Sequence, residues 1–255
     1  MTPYLHVEAY GAGPTVVLCA GLTQTTANWR GMARQNPHLR WVIFDPRGQG
    51  KSELGARPYT LDDHVEDLMR VVESHAGGTD ITLVGFSHGG RVSLRAVAQH
   101  PDRFSKMVLV SCASETSPLR RAHITSWAMC LEIGGVDALA WASLPTIVGV
   151  QILRKFNDLD MLVKGMATRN SREGLTAMFE GMRDYPEVRI DAERIDAQTL
   201  ILRGELDPLV ATSDMLNFKA WIPQSEQKVY AGCGHTLALE EPDQFIRDLT
   251  SFAQR

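Results

Sequence analysis

Six short runs, at 15–19, 40–44, 80–84, 106–110, 199–203 and 226–230, are strand candidates, and all but the last are apolar almost throughout and rich in Val, Ile and Leu. A strand exposed on one face alternates polar and apolar residues. A strand without that alternation is buried on both faces, which is the condition inside a parallel sheet. Between several of the runs lie amphipathic helix patterns. At 61–75, Leu61, Val65, Leu68, Met69 and Val72 share one face, and Asp62, Asp63, Glu66 and Asp67 occupy the first turns, where the helix dipole favours acids. Strand–helix alternation of this kind predicts an α/β fold, a mostly parallel sheet with helices on both faces.

One stretch breaks the alternation. From about 119 to 191 no convincing strand is found, and the pattern predicts helices at 122–133, 136–143, 147–156, 158–168 and 172–182, punctuated by Gly134-Gly135, Pro145 and Pro186. The expected organisation is a core of residues 1–118 and 191–255 with a helical cap, 119–190, over the carboxyl edge of the sheet. Open α/β sheets bind ligands at that edge.

A chain of 255 residues suits one large domain with an insertion. Its 44% hydrophobic and 22% charged residues are ordinary for a globular protein. With a net charge of −4 there is no basic excess to neutralise phosphates, so no nucleic-acid partner is expected. Cys19, Cys112, Cys130 and Cys233 have no paired spacing and fit a reducing compartment. No basic segment leads into an apolar stretch at the start, and the most apolar run, 138–153, is too short to cross a bilayer. These features lead to the expectation of a soluble, cytoplasmic protein.

The sharpest motif is Gly85-Phe-Ser87-His-Gly89, between a predicted strand and a predicted helix at 91–99. A strand-to-helix turn this tight forces strained backbone angles on Ser87, and the flanking glycines make room for it. The hydroxyl is left exposed at a helix N-terminus, and the arrangement is that of a nucleophile elbow. Gly and Ser also build plain turns, and only the strand–helix context separates the two readings. A serine hydroxyl is a weak nucleophile and needs a base, and the base needs an orienting acid. After the run at 199–203 comes Gly204-Glu-Leu-Asp207, and after the run at 226–230 comes Ala231-Gly-Cys-Gly-His235. Ser87, Asp207 and His235 are therefore the candidate nucleophile, acid and base, each on a loop beyond a strand end. Glu205 and Glu115 are the competing acids. His6, His38, His64, His75, His100 and His123 read as surface or structural residues, and His88 counts first for its backbone N–H and only second for its ring.

An acyl-transfer site also needs two N–H donors for the oxyanion. His88 follows the nucleophile, and Leu22, in the loop Ala20-Gly21-Leu22-Thr23-Gln24-Thr25, is the second candidate. Thr23 and Gln24 are either additional donors or a solvated polar loop. The segment Asp45-Pro-Arg-Gly-Gln-Gly50-Lys-Ser52 looks like a phosphate loop but begins with an acid that would repel phosphate, and no helix pattern opens at Ser52. No ligand spacing for a metal is present.

Taken together, Asp45-x-Arg47-Gly48-x-Gly50-x-Ser52, the Gly85-to-Gly89 elbow, Gly204-x-x-Asp207 and Gly234-His235 resemble the α/β-hydrolase superfamily over both core segments. The resemblance implies a sheet of about eight strands, a Ser-His-Asp triad and no cofactor. A serine nucleophile argues against epoxide hydrolases and haloalkane dehalogenases, which attack with a carboxylate. The loop with Trp29 downstream is similar to small carboxylesterases and lactonases. Thr25-Thr26-Ala27 and Leu144-Pro145-Thr146 resemble, more faintly, enzymes that move 3-hydroxyacyl chains from acyl carrier protein, which would then be a partner. Ser87-His-Gly-Gly-Arg91 resembles the elbow of the menaquinone-pathway lyase. Gly21, Trp141, Leu144, Ile147 and Val148 are candidate linings of an acyl or aromatic pocket, with Met129, Met161, Met166 and Met178 nearby; alternatively the cap residues pack on themselves. A receptor that binds a small molecule with weak turnover is the alternative of a different class.

Overall fold

The structure, a computed structural model, describes residues 2–78 and 80–255. Seven strands form one sheet in the order β1-β3-β2-β4-β5-β6-β7. These are β1 (Val7–Tyr10), β2 (Thr15–Cys19), β3 (Arg40–Phe44), β4 (Ile81–Phe86), β5 (Lys106–Val110), β6 (Gln198–Gly204) and β7 (Glu226–Tyr230). All neighbours are parallel except β1, which runs antiparallel to β3. Six strands lie where the apolar runs predict them. The count is seven among the described residues, against the eight or so implied by the resemblance, and β1 was not foreseen. It is a short edge strand with no fully buried residue, and its sequence, Val-Glu-Ala-Tyr, carries no apolar run.

Successive side chains of a strand face opposite sides, and both sides are covered. Val17, Val42, Leu83, Leu109 and Ile201 join one core with residues of α2 (Leu61–Val71), α3 (His88–Gln99) and α9 (Thr212–Trp221). Val16, Trp41, Val84, Val110 and Leu202 join the other with Trp29 of α1 (Thr26–Gln35) and Phe245 and Leu249 of α10 (Pro242–Ala253). This double burial is the physical reason for runs without alternation.

The order of strands reverses between β2 and β4. Cys19 of β2 pairs with Gly85 of β4, so the loops after these strands leave the sheet side by side. Such a switch point is where an open α/β sheet forms its ligand crevice.

Between β5 and β6 the chain is helical: α4 (Pro118–Ile147), α5 (Val150–Leu153), α6 (Leu159–Ala167), α7 (Arg172–Met182) and α8 (Val188–Ala192). Side chains that accept a backbone N–H at the first turn start three of them: Ser117 for α4, Asp158 for α6 and Ser171 for α7. The break expected at Gly134-Gly135 is a kink at Gly135, with φ 71°. Pro145 does not end a helix as its sequence position suggested. It sits within the last turn of α4, and the chain breaks after Ile147. The helix expected over 147–156 is one turn, Val150–Leu153, and the residue before it, Gly149, lies on the buried carboxylate of Glu240, where a Cβ would overlap it. Among the described residues no helix is long and apolar enough to cross a membrane.

Candidate active site

β4 ends at Phe86 and α3 begins at His88, leaving one residue for the turn. That residue is Ser87, with φ 51° and ψ −113°, a region that side chains other than glycine occupy only under constraint. Two features supply the constraint. Ser87 N–H donates to the Val110 carbonyl at 2.8 Å. The first turn of α3 also presses so closely on β2 that a Cβ on Gly89 would overlap the Cys19 carbonyl, which is why this position takes no side chain.

The loops after β4, β6 and β7 converge. His235 Nε2 lies 3.0 Å from Ser87 Oγ, and His235 Nδ1 lies 2.8 Å from Asp207 Oδ2. The other oxygen, Asp207 Oδ1, accepts the N–H groups of Leu209 at 2.8 Å and Val210 at 3.2 Å. Asp207 and His235 are both buried. With the carboxylate facing Nδ1, the neutral imidazole carries its proton there and leaves Nε2 free to accept from Ser87. The loop of His235 is held from below: Ser111 Oγ donates to the His235 carbonyl at 2.7 Å, and Gly234 N–H donates to Glu240 at 3.1 Å. Of the competing acids, Glu205 accepts the Gly232 N–H and Glu115 is exposed. Neither is bonded to His235.

The loop after β2 is braced around one unused donor. Gly21 N–H donates to Gln24 Oε1, Thr23 N–H to Gln49 Oε1, Gln24 N–H to the Gly21 carbonyl and Thr25 N–H to Asn28 Oδ1. Leu22 N–H alone in this run has no acceptor among the described residues, and neither has the N–H of His88. Gln24 is thus a brace and not a solvated side chain. Gln49 and Asn170, which donates to the Thr23 carbonyl at 3.1 Å, are braces that sequence reasoning missed. They lie far from the loop in sequence, and nothing local marks them. Asp45 is a scaffold residue: it accepts from Thr26 N–H and Lys51 N–H, while Arg47 pairs with Asp67 at 2.6 Å.

The expected pocket linings divide. Gly21 is needed because a Cβ there would press on the Phe86 ring, which itself packs edge-on against His235 at 5.4 Å. Trp141 is 45% exposed and joins none of the apolar clusters, and Leu144 is buried in a cluster with Ala140 and Val163 inside the insert. The periodic run shows that a helix has an apolar face but not which neighbour that face meets. Val148 packs on the same internal cluster. Ile147 belongs to a different cluster, in which Trp127, Leu131 and Phe179 of the insert meet Leu209 beside Asp207 and Leu22 of the braced loop.

His88 and His64 are buried rings, packed edge to face at 5.1 Å. Burial, and then the charge of Arg91, pushes the His88 imidazole down to about 4. Burial, and then the charges of His88 and Arg47, pushes His64 well below its ordinary value. Both rings bind a proton more readily in the unfolded chain, so protonation favours unfolding. Stability is therefore complete above about pH 6.5 and lost as pH falls from there through about 4. For His88 alone the full loss is on the order of 3 kcal/mol, at about 1.4 kcal/mol per pH unit. Urea unfolding at pH 7.5, 6 and 5 should show the decline, and His88→Gln should flatten it; a profile unchanged in that variant would contradict the assignment.

A family model described as alpha/beta hydrolase fold matches residues 14–128. The chain is 25% identical to a putative 2-succinyl-6-hydroxy-2,4-cyclohexadiene-1-carboxylate synthase of Bacillus subtilis, over 96% of this chain and 92% of that protein. It is also 25% identical to a pimeloyl-[acyl-carrier protein] methyl ester esterase of Vibrio vulnificus, over 99% of both. A thermophilic esterase from Thermogutta terrifontis superposes with a TM-score of 0.87 at 23% identity, over 98% of this chain and 94% of that one. On sheet order, family match and relatives together, the chain is an enzyme of the α/β-hydrolase fold, a hydrolase.

Proposed function

We propose that the chain is a serine hydrolase that cleaves a carboxylic ester, open or cyclised as a lactone, through an acyl-enzyme. The observation that carries this reading is the hydrogen-bonded series Ser87–His235–Asp207 beside two N–H groups without acceptors. His235 Nε2 takes the Ser87 proton as Oγ attacks the carbonyl carbon. The carbonyl oxygen becomes an oxyanion bound by the N–H groups of Leu22 and His88, and Asp207 stabilises the imidazolium. His235 returns the proton to the departing alkoxide. Water then attacks the acyl-enzyme by the same route, releasing the acid and restoring Ser87.

Residues 119–190 serve as a cap, and the acyl group lies against the cluster where Leu22 and Leu209 meet Trp127, Leu131 and Ile147. The relative that acts on a carrier-bound methyl ester fits the same chemistry, with an acyl carrier protein as the vehicle. Arg91 donates to Asp191 at 2.6 Å and to the Pro186 carbonyl at 2.8 Å, so its charge is committed to the scaffold and the elbow arginine argues for no lyase; the second reading, a same-fold C–C lyase, rests instead on the likeness to the synthase relative.

Turnover of p-nitrophenyl esters of graded chain length tests the reading. The expected profile rises to one acyl length and falls beyond it, with release dependent on Ser87. Stoichiometric binding without turnover would support the receptor alternative and end the enzymatic one.

A further inference from the structure

The segment that returns from the insert to β6 is clamped along one face of α3. His88 Nε2 lies 3.0 Å from Tyr185 Oη, Arg91 donates to Asp191 and to the Pro186 carbonyl, and Arg95 donates to Asp191 at 3.0 Å. The three α3 residues that make these contacts, His88, Arg91 and Arg95, fall at the spacing of neighbouring positions on a helix surface. The two arginine contacts to Asp191 account for themselves, since a buried carboxylate requires a cation. The first contact is of another kind. Burial keeps the His88 ring neutral at neutral pH and holds the Tyr185 phenol un-ionised. The bond therefore neutralises no charge, and it falls on the residue that follows Ser87, whose main-chain N–H has no acceptor among the described residues.

The His88 ring is held on more than one side. Tyr185 lies against it at 5.8 Å between ring centroids, and His64 meets it edge-on at 5.1 Å. Tyr59 in turn meets His64 edge-on at 6.0 Å. A side chain fixed at its far nitrogen and packed by two rings leaves its own Cα and N–H little freedom. An oxyanion donor is useful only within a narrow range of distance, and small misplacements cost rate, not binding.

We propose that Tyr185 is a positioning residue of the oxyanion hole: its hydroxyl anchors the His88 ring and thereby aims the His88 N–H. This rests on the reading of Ser87 as nucleophile and His88 N–H as donor. It places control of the acylation step partly in the segment that leaves the insert, 97 residues from His88 in sequence.

Tyr185→Phe keeps the ring and removes the anchor. The expected result is a fall in kcat of about 3- to 10-fold, the size of one net hydrogen bond, with KM within about twofold of wild type. A trifluoromethyl ketone adds to a serine hydroxyl and leaves its oxyanion in the hole. Its affinity should weaken by the same factor as kcat, while a fluorophosphonate still labels one serine per chain. His88→Leu should lose a similar factor, and the double variant should lose no more than the larger single loss. A labelled fraction that falls with the rate would make Tyr185 merely structural and overturn the proposal. A rise in KM with ketone affinity intact, or additive losses in the double variant, would overturn it as well. If the ketone and fluorophosphonate fail on the wild-type protein, the catalytic reading itself fails and the positioning role falls with it, an outcome distinct from the other three.

Discussion

Ser87→Ala lowers kcat/KM on the best p-nitrophenyl ester by about 10⁴- to 10⁶-fold and abolishes fluorophosphonate labelling. The size follows from what remains. His235 and Asp207 still pair at 2.8 Å, and the N–H groups of Leu22 and His88 still face an oxyanion, so direct attack by water keeps some advantage over solution. On the proposed mechanism, what disappears is the nucleophile and with it the acyl-enzyme. Folding should be little affected: the Ser87 side chain has one hydrogen-bond partner, His235, and alanine bears the positive φ of the elbow no worse than serine does. A variant with an unchanged melting temperature and residual turnover within tenfold of wild type would show that Ser87 is not the nucleophile, whatever the geometry around it.

Features set by neighbours in sequence were legible before any coordinates. β2, β3 and β5 end where an apolar run meets a polar or glycine-containing turn, β7 ends at the Ala-Gly that follows Val229-Tyr230, and the bounds of all four match the expected ones. The elbow was legible because a one-residue turn demands glycines at fixed offsets from Ser87. Asp207 and His235 were legible because each closes a strand. The insert was not. Gly149 is free of a side chain where it meets Glu240, far away in sequence, and whether Trp141 faces a pocket or solvent depends on which side of α4 meets the core. The partner of the His88 ring is Tyr185, for which the sequence holds no periodic or spaced signal. Local sterics write themselves into local sequence; contacts between distant segments leave only apolar or polar residues that many neighbours could satisfy.

Asp207→Asn should lower kcat by about 10⁴-fold while leaving the fold intact. The reason lies in the second oxygen of the carboxylate. Asp207 Oδ1 accepts two backbone N–H groups, from Leu209 and Val210. An asparagine must therefore turn its carbonyl oxygen toward that pair, since its NH2 cannot face two donors. The NH2 then faces His235 and donates to Nδ1. An imidazole that accepts at Nδ1 carries its proton on Nε2, where it meets the Ser87 hydroxyl as a donor and cannot take the proton. The substitution keeps every heavy atom near its place and fixes the wrong tautomer. Nitrogen NMR of the His235 ring should show the proton on Nδ1 in the wild-type protein and on Nε2 in the variant, with the loss confined to kcat. A loss below about tenfold would mean that the Nδ1 partner matters little and that the two backbone donors, not the imidazole, are what Asp207 serves.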